Sequence, residues 1–311
     1  MSPAARRVAV VDIGSNSVRL FLCTGIGPTG PEGDRITTVT GLRRGAAGDG
    51  TIAEDALARL EGCLAGYADA IAAFSPARVV AVGTSAVRDA PNHDRVAEVV
   101  RGRLDTGLAV LTGAQEARAA FAGARLGAPG HGPIMVVDIG GGSTELVRGD
   151  EHPEAEVSLQ LGAVRHTERF LRSDPPAPAE VAALGREARA LIAEALAQIG
   201  GPAPAVGVAG TITSLAAIDL GAYDPARVHG HVLTRARIET LTAELCAMTV
   251  ERRRTVPGLD PARAGVIAAG ALIARAVLDA AGAERMVVSE RDLLDGVALA
   301  AVAPGDAEFR L

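Results

Sequence analysis

The sequence predicts an α/β chain built from two similar lobes. Three observations carry that prediction. Short apolar runs alternate with amphipathic segments of helical period. The opening pattern Val8-Ala9-Val10-Val11-Asp12-Ile13-Gly14 returns as Ile134-Met135-Val136-Val137-Asp138-Ile139-Gly140, 126 residues later. Each copy is followed by a tight polar turn and a further strand. A repeat of that period is a duplicated domain rather than a solenoid unit.

The elements follow in order. Val8 to Val11 reads as a buried strand ending in the turn Asp12-Ile13-Gly14-Ser15-Asn16-Ser17, and Val18 to Thr24 as the strand after it. Gly27-Pro28-Thr29-Gly30-Pro31 is a turn cluster, and Arg35 to Thr40 is the next strand. Leu57, Leu60, Leu64, Tyr67, Ile71 and Phe74 recur at steps of 3 and 4 and mark one helix face. Val79 to Gly83 is a strand, Arg95 to Leu104 a helix, Leu108 to Leu111 a strand and Gln115 to Leu126 a helix. A cluster of Gly, Pro and His near Gly127 to Gly132 places the boundary, giving lobes 1–127 and 128–311. In the second lobe, Ile134 to Gly140 repeats the opening pattern and Glu145 to Arg148 is the strand that follows it. Ser173 to Pro178 is a loop before a helix from Ala179 to Ile199, and Val206 to Ala209 is a strand before Gly210-Thr211-Ile212-Thr213. Helices near Arg235–Met248 and Pro261–Ala281 make this lobe helix-rich, and a strand at Met286 to Ser289 precedes a short final helix.

Composition excludes several chemistries. All 31 basic residues of the 311 are Arg. A chain without Lys has no Walker P-loop, no Schiff-base amine and no kinase strand Lys. A net charge of -6 argues against general binding to nucleic acid or anionic membranes. The longest uncharged apolar run, Ala264 to Ala274, is far shorter than the roughly 20 residues of a membrane span, and Arg6-Arg7 precede too short an apolar run for a signal peptide. Cys23, Cys63 and Cys246 are far apart and read as reduced core residues of a cytoplasmic protein.

Two strands ending in Asp-Ile-Gly point to phosphate chemistry. Gly permits a tight turn and lets backbone N–H groups approach an anion. Ser15, Asn16 and Ser17 follow the first strand; Gly140, Gly141, Gly142, Ser143 and Thr144 follow the second. Asp12 and Asp138, at the strand ends, suit Mg²⁺ directly or through water. Neither loop is a dinucleotide fingerprint, since neither is a G-x-G-x-x-G opening a helix. Thr112 and Gln115 fit a capping box, which puts Glu116 in the first helical turn. There it is either a base for an attacking water or plain charge complementarity to the helix. Arg88 is either a phosphate clamp or a surface ion pair with Asp89 or Asp94. His93-Asp94 lacks the supporting residues of a metal dyad. His229 and His231 read as exposed loop residues, and Arg252-Arg253-Arg254 as a solvated helix end.

Taken together, these segments resemble the exopolyphosphatase / guanosine pentaphosphate phosphatase family. The matching runs lie in order: Asp12 to Leu20, Thr84 to Asn92, Thr112 to Arg118, Asp138 to Leu146, Leu161 to Arg165, Ala209 to Thr213, and Ser289-Glu290 to Asp295-Gly296. The resemblance implies two ribonuclease-H-like lobes of the actin-like ATPase kind with a cleft between them. It also implies hydrolysis of the terminal phosphate of inorganic polyphosphate with Mg²⁺, or Mn²⁺ in its place. By position Glu116 matches the water-activating residue, and Arg88 the Arg of the cleft. Asp138 and Glu145 match the acidic residues tied to the metal, and Gly141 to Thr144 the phosphate loop; Gly210 and Thr211 join the phosphate-binding set. Family members often carry Glu-Glu where this chain has Gln115-Glu116, and longer members add helical domains that this chain stops before. The alternative substrate is guanosine pentaphosphate; a sugar or acetate kinase activity or an actin-like assembly module are further alternatives. A homodimer is also implied. With no Lys, the cationic side chains to weigh at the site are Arg88, Arg19, Arg43, Arg44 and Arg165.

Overall fold

The computed structural model describes residues 7–46, 49–128, 130 and 132–302. The chain forms two compact units. One takes the described part of Met1–Ala119 and Leu293–Leu311; the other is Ala120–Asp292. The division therefore falls inside a helix rather than at 127/128, and the end of the chain returns to the first unit. The expected boundary stretch Gly127 to Gly132 includes Pro129 and His131, which lie outside the described residues.

In the first unit β1 (Val8–Ile13), β2 (Ser17–Gly27) and β3 (Gly30–Val39) form an antiparallel meander, with a two-residue turn inside the Gly/Pro cluster. Then come α1 (Glu54–Phe74), β4 (Arg78–Gly83), α2 (Ser85–Arg88), α3 (His93–Leu104), β5 (Leu108–Val110) and α4 (Gly113–Gly127). The sheet order is β3-β2-β1-β4-β5, with β1, β4 and β5 parallel. All six residues of β1 are buried, as an uninterrupted apolar run in a sheet covered on both faces requires. The predicted stripe of α1, with Leu57, Leu60, Leu64, Tyr67 and Ile71, packs with Val96 and Val100 of α3 against Ala9, Val11 and Ile13.

The second unit contains β6 (Ile134–Ile139), β7 (Thr144–Gly149), β8 (Pro153–Leu159), α5 (Ala163–Phe170), α6 (Pro178–Gln198), β9 (Ala205–Val208), α7 (Ala209–Leu220), α8 (Pro225–Val228), β10 (Val232–Thr234), α9 (Arg235–Ala247), α10 (Val250–Arg253), α11 (Ile267–Ala281) and β11 (Arg285–Val288). Its sheet order is β10-β11-β9-β6-β7-β8. The run β8-β7-β6-β9-β11 reproduces β3-β2-β1-β4-β5 in order and in every strand direction. Both units are thus α/β lobes of the ribonuclease-H-like kind, and β10 is an added edge strand. The core of the second lobe gathers around α11, of whose 15 residues 12 are buried.

The chain closes with α12 (Leu293–Val302), which packs on β1, β2 and β3. Two residues of the expected C-terminal motif explain its docking. Asp295 is fully buried and accepts from Arg35 Nη2 at 2.6 Å, while the Arg35 guanidinium also lies 4.3 Å from the Phe21 ring centroid. At Gly296 any Cβ would stand 2.1 Å from the carbonyl oxygen of Ala119, so only Gly lets α12 come this close.

Five features depart from the sequence reading. β8 was not expected, although Ala155, Val157 and Leu159 alternate onto the core at strand period. α5 and β10 also went unread; one is short and mostly polar, the other only three residues long. The segment from Pro261 breaks into a 3₁₀ turn, Pro261–Arg263, capped by Asp260, before α11 begins at Ile267. The solvated reading of Arg252-Arg253-Arg254 is corrected at Arg253, which is 2% exposed and donates to the carbonyls of Met248 and Ala264. Its guanidinium satisfies carbonyls at the ends of two helical segments.

Candidate active site

In the first lobe the register aligns Ile13 with Gly83 and Gly83 with Val110. The carboxyl ends of three parallel strands therefore lie in a row, the position where open α/β sheets bind ligands. The turns that follow them carry the expected residues. Gly14 N–H donates to the Ser17 carbonyl at 3.0 Å and closes the first turn. The carbonyls of Ser15 and Asn16 accept from the amides of Arg43 and Gly41, so the turn is braced by the segment after β3. Ser15 and Asn16 are buried, and Ser17 opens β2.

The capping box at the start of α4 forms as expected: Gln115 N–H donates to Thr112 Oγ1 at 3.2 Å, and Thr112 N–H to Gln115 Oε1 at 3.0 Å. It sets Glu116 in the first turn. Arg88, at the end of α2, donates from Nη1 to Glu116 Oε2 at 2.8 Å and to the Leu111 carbonyl at 2.8 Å. The Asp89 carboxylate stands 3.8 Å from Arg88 Nε. Asp94 instead meets His93 at 3.6 Å on an exposed helix end. Glu116 is only 7% exposed. Burial raises its carboxyl from the ordinary 4.5 to about 7, opposed by the hydrogen bond and charge of Arg88 and assisted by the charges of Asp12 and Asp89. A carboxylate near half-ionisation at neutral pH is suited to taking a proton there.

The two copies of the Asp-Ile-Gly hairpin differ at one position. Asp12 lies opposite Arg19, whose Nε and Nη2 reach Asp12 Oδ2 at 2.9 and 2.8 Å. Asp138 lies opposite Glu145. Both are buried, and Ser158 Oγ donates to Glu145 Oε1 at 2.7 Å. Directly opposed residues of an antiparallel pair sit ~5 Å apart, so the second lobe holds two buried carboxylates side by side. Like charges at that spacing repel, and an oxygen-binding cation relieves the repulsion.

The Gly loop of the second lobe is tied to α5. Gly140 N–H donates to Ser143 O, the carbonyl of Gly140 accepts from Ala163, and that of Gly141 accepts from Val164 and Arg165. Arg165 Nε also donates to the Gly142 carbonyl at 2.8 Å. Gly162 makes this latch possible, since a Cβ there would stand 2.4 Å from the Gly141 oxygen. We expect Gly162→Ala to displace the loop and cost about 1–3 kcal/mol of stability. Urea unfolding followed by circular dichroism measures this, and an unchanged midpoint would refute it. The hydroxyl of Thr144 donates to the Leu161 carbonyl at 2.5 Å and is fully buried, so Thr144 holds the start of this latch in place rather than offering its hydroxyl to a ligand.

The turn from β9 to α7 also carries expected residues. Ala209 adopts φ 66°, a left-handed conformation that costs an L-residue ~1–2 kcal/mol. Gly210 lies against the Arg263 guanidinium, so close that a Cβ would fall 2.0 Å from Nη1. Thr211 is buried in the first turn of α7. Sequence reasoning missed Arg263 because it is 53 residues away and no local pattern marks it. Arg44 packs against Gly41. The histidine pair does not come together: His231 Nε2 bonds Asp219 at 2.8 Å, and His229 Nδ1 accepts from the Glu290 amide. Among the described residues no group of three or more His, Cys, Asp or Glu is assembled to hold a metal, and no helix is long and apolar enough to cross a membrane.

The model of the Ppx/GppA phosphatase family matches residues 34–303. Exopolyphosphatase 2 of Mycobacterium tuberculosis is 38% identical over 316 aligned positions, covering 95% of this chain and 98% of that protein. The crystal structure of the Aquifex aeolicus Ppx/GppA family member superposes with a TM-score of 0.80 at 32% identity, covering 96% of this chain and 97% of the other. A crystal structure of an exopolyphosphatase-like protein gives 0.89 at 31% identity, with 95% and 98% covered.

Proposed function

The chain belongs to the Ppx/GppA phosphatase family, and from that premise we propose that it removes the terminal phosphate of inorganic polyphosphate, with Glu116 activating the attacking water. The observation that carries this reading is the buried Glu116, paired with Arg88 at 2.8 Å, whose carboxyl is raised to about 7.

The reaction is an in-line displacement. Water attacks the terminal phosphorus, the bridging P–O bond breaks, and the shortened chain leaves with the bridging oxygen. Glu116 orients that water and accepts its proton. Arg88 holds the Glu116 carboxylate in position and offers its remaining N–H groups to phosphate oxygens. The backbone N–H groups of the turn at Ser15-Asn16-Ser17 suit phosphate oxygens, as do, within the second lobe, those of Gly141-Gly142-Ser143 and of the α7 start at Gly210-Thr211. Catalysis of this kind is mostly positioning and electrostatics.

The donor chemistry of the second lobe fits Mg²⁺. Asp138 and Glu145 offer hard oxygen ligands in a cross-strand pair, and Mg²⁺ is usually held by one or two carboxylates with water and substrate phosphate completing its shell. When bound, the ion neutralises charge on the transferring group. Asp12 is less suited, because Arg19 already engages its carboxylate.

The test is phosphate release with Mg²⁺ from polyphosphate of several lengths, guanosine pentaphosphate and ATP. We expect release from polyphosphate without any acceptor. Faster turnover of guanosine pentaphosphate moves the assignment to the other substrate of the resemblance, and turnover that requires an acceptor overturns hydrolysis.

A further inference from the structure

A second basic site lies in the second lobe, apart from every residue assigned above. A cavity of about 610 Å³ is lined by Pro176, by one face of α6, by Cys246 and Ala247 at the end of α9, and by Arg275 of α11. The α6 face runs Pro178, Val181, Ala182, Gly185, Arg186 and Arg189, the i, i+3, i+4, i+7 spacing of a single stripe. Its volume is in the range of small-molecule sites, and its walls join apolar side chains to a few polar groups, as such sites do.

The charge of the cavity is one-sided. Three guanidinium groups line it and no carboxylate does. Arg189 has a distant partner, Asp279, at 3.9 Å. Arg186 and Arg275 make no ion pair or hydrogen bond among the described residues. Arg275 is the less expected of the two. It is the one charged residue between Ile267 and Leu278 of α11, a helix with 12 of its 15 residues buried, and it is itself half-buried. Gly185, itself buried, lies beside it: a Cβ there would stand 3.5 Å from Arg275 Nη2, an ordinary contact distance. A partly desolvated guanidinium without a counter-charge is costly, and an anion in the cavity offsets that cost. Arg is also the side chain best shaped for phosphate, through its planar fork of donors.

We propose that this cavity binds a small phosphorylated anion, independently of the hydrolytic site. Cys246 supplies the reporter. Its thiol lines the cavity and is half-buried; burial raises its pKa, while Arg253 and Arg275 pull it down. The experiment uses the full chain carrying Cys23→Ala and Cys63→Ala, so that Cys246 is the remaining thiol, together with Glu116→Gln to keep polyphosphate intact. The rate of Cys246 modification by an aromatic disulfide reagent is measured with inorganic phosphate, tripolyphosphate or ATP. At least one of the three is expected to slow modification tenfold or more, and the most effective one identifies the source of the phosphate. The protection is expected to vanish in Arg186→Gln/Arg189→Gln, whose changes lie on an exposed surface, and in Arg275→Met. Absence of protection by all three, protection that persists in the Arg186/Arg189 variant, or equal protection by sodium sulfate at matched ionic strength overturns the proposal.

Discussion

Replacing Glu116 with Gln is expected to lower phosphate release by about 10³-fold, within the 10²–10⁴ range of a positioned general base. The fold is expected to survive, and above neutral pH to gain stability. The sign follows from linkage. In the folded chain the carboxyl titrates at about 7 against an ordinary 4.5. The raised value favours the folded state fully below pH 4.5, and that contribution is lost as the pH climbs through about 7. Gln does not titrate. At pH 8 the variant is therefore expected to unfold at higher urea than the wild type, by up to roughly 3 kcal/mol, and at pH 4 the difference disappears. Activity runs the other way, because the base works only when ionised. The wild-type kcat/KM is expected to rise through about pH 7. Arg88→Met removes the hydrogen bond and charge that hold the Glu116 carboxyl down, so the rising limb moves to higher pH. A folded Glu116→Gln enzyme with wild-type turnover sinks the assignment, and a flat profile from pH 5 to 9 sinks the titration argument.

The opposed trends in stability and activity describe one fact: a carboxyl held where its ionised form is disfavoured. The sequence could place Glu116 in a first helical turn, because Thr112 and Gln115 are a local signal of helix start. It could not decide between a base and ordinary helix-end charge. That decision needs Arg88, 28 residues earlier, and the burial of Glu116 in the folded chain. The fold was more legible than the site for a related reason. A strand that is buried on both faces writes itself as an apolar run, and duplication writes the run twice. Short edge elements such as β10 bury too little to leave a pattern. Contacts made by long side chains across the fold, such as Arg35 to Asp295 and Arg253 to Ala264, leave none at all. Thr144 shows the limit from the other side. Its place in the Gly-Ser-Thr run suggested a ligand contact, but its hydroxyl is committed to Leu161.

Mg²⁺ dependence is expected to rest on Asp138 and Glu145 rather than on Asp12. The two hairpins are copies down to register: Gly14 to Ser17 and Gly140 to Ser143 make the same hydrogen bond, and the strand-end Asp faces the equivalent neighbour in each. At that neighbour the first copy has Arg19 and the second has Glu145. In the first the Asp faces a guanidinium across the strands; in the second it faces another carboxylate. Duplication thus isolates the variable that matters, since backbone and geometry are shared while the local charge is inverted. A divalent cation gains from the two-carboxylate site and competes with a guanidinium at the other. Asp138→Asn and Glu145→Gln are each expected to weaken Mg²⁺ binding by about 10–100-fold in a calorimetric titration, the size seen when a metal's ligands or their supports are altered. Asp12→Asn is expected to change it by less than about threefold. An Asp12 variant that loses Mg²⁺ binding as severely as the Asp138 variant would mean that Arg19 yields its partner to the metal, and the charge inversion between the copies would then not determine where the ion binds.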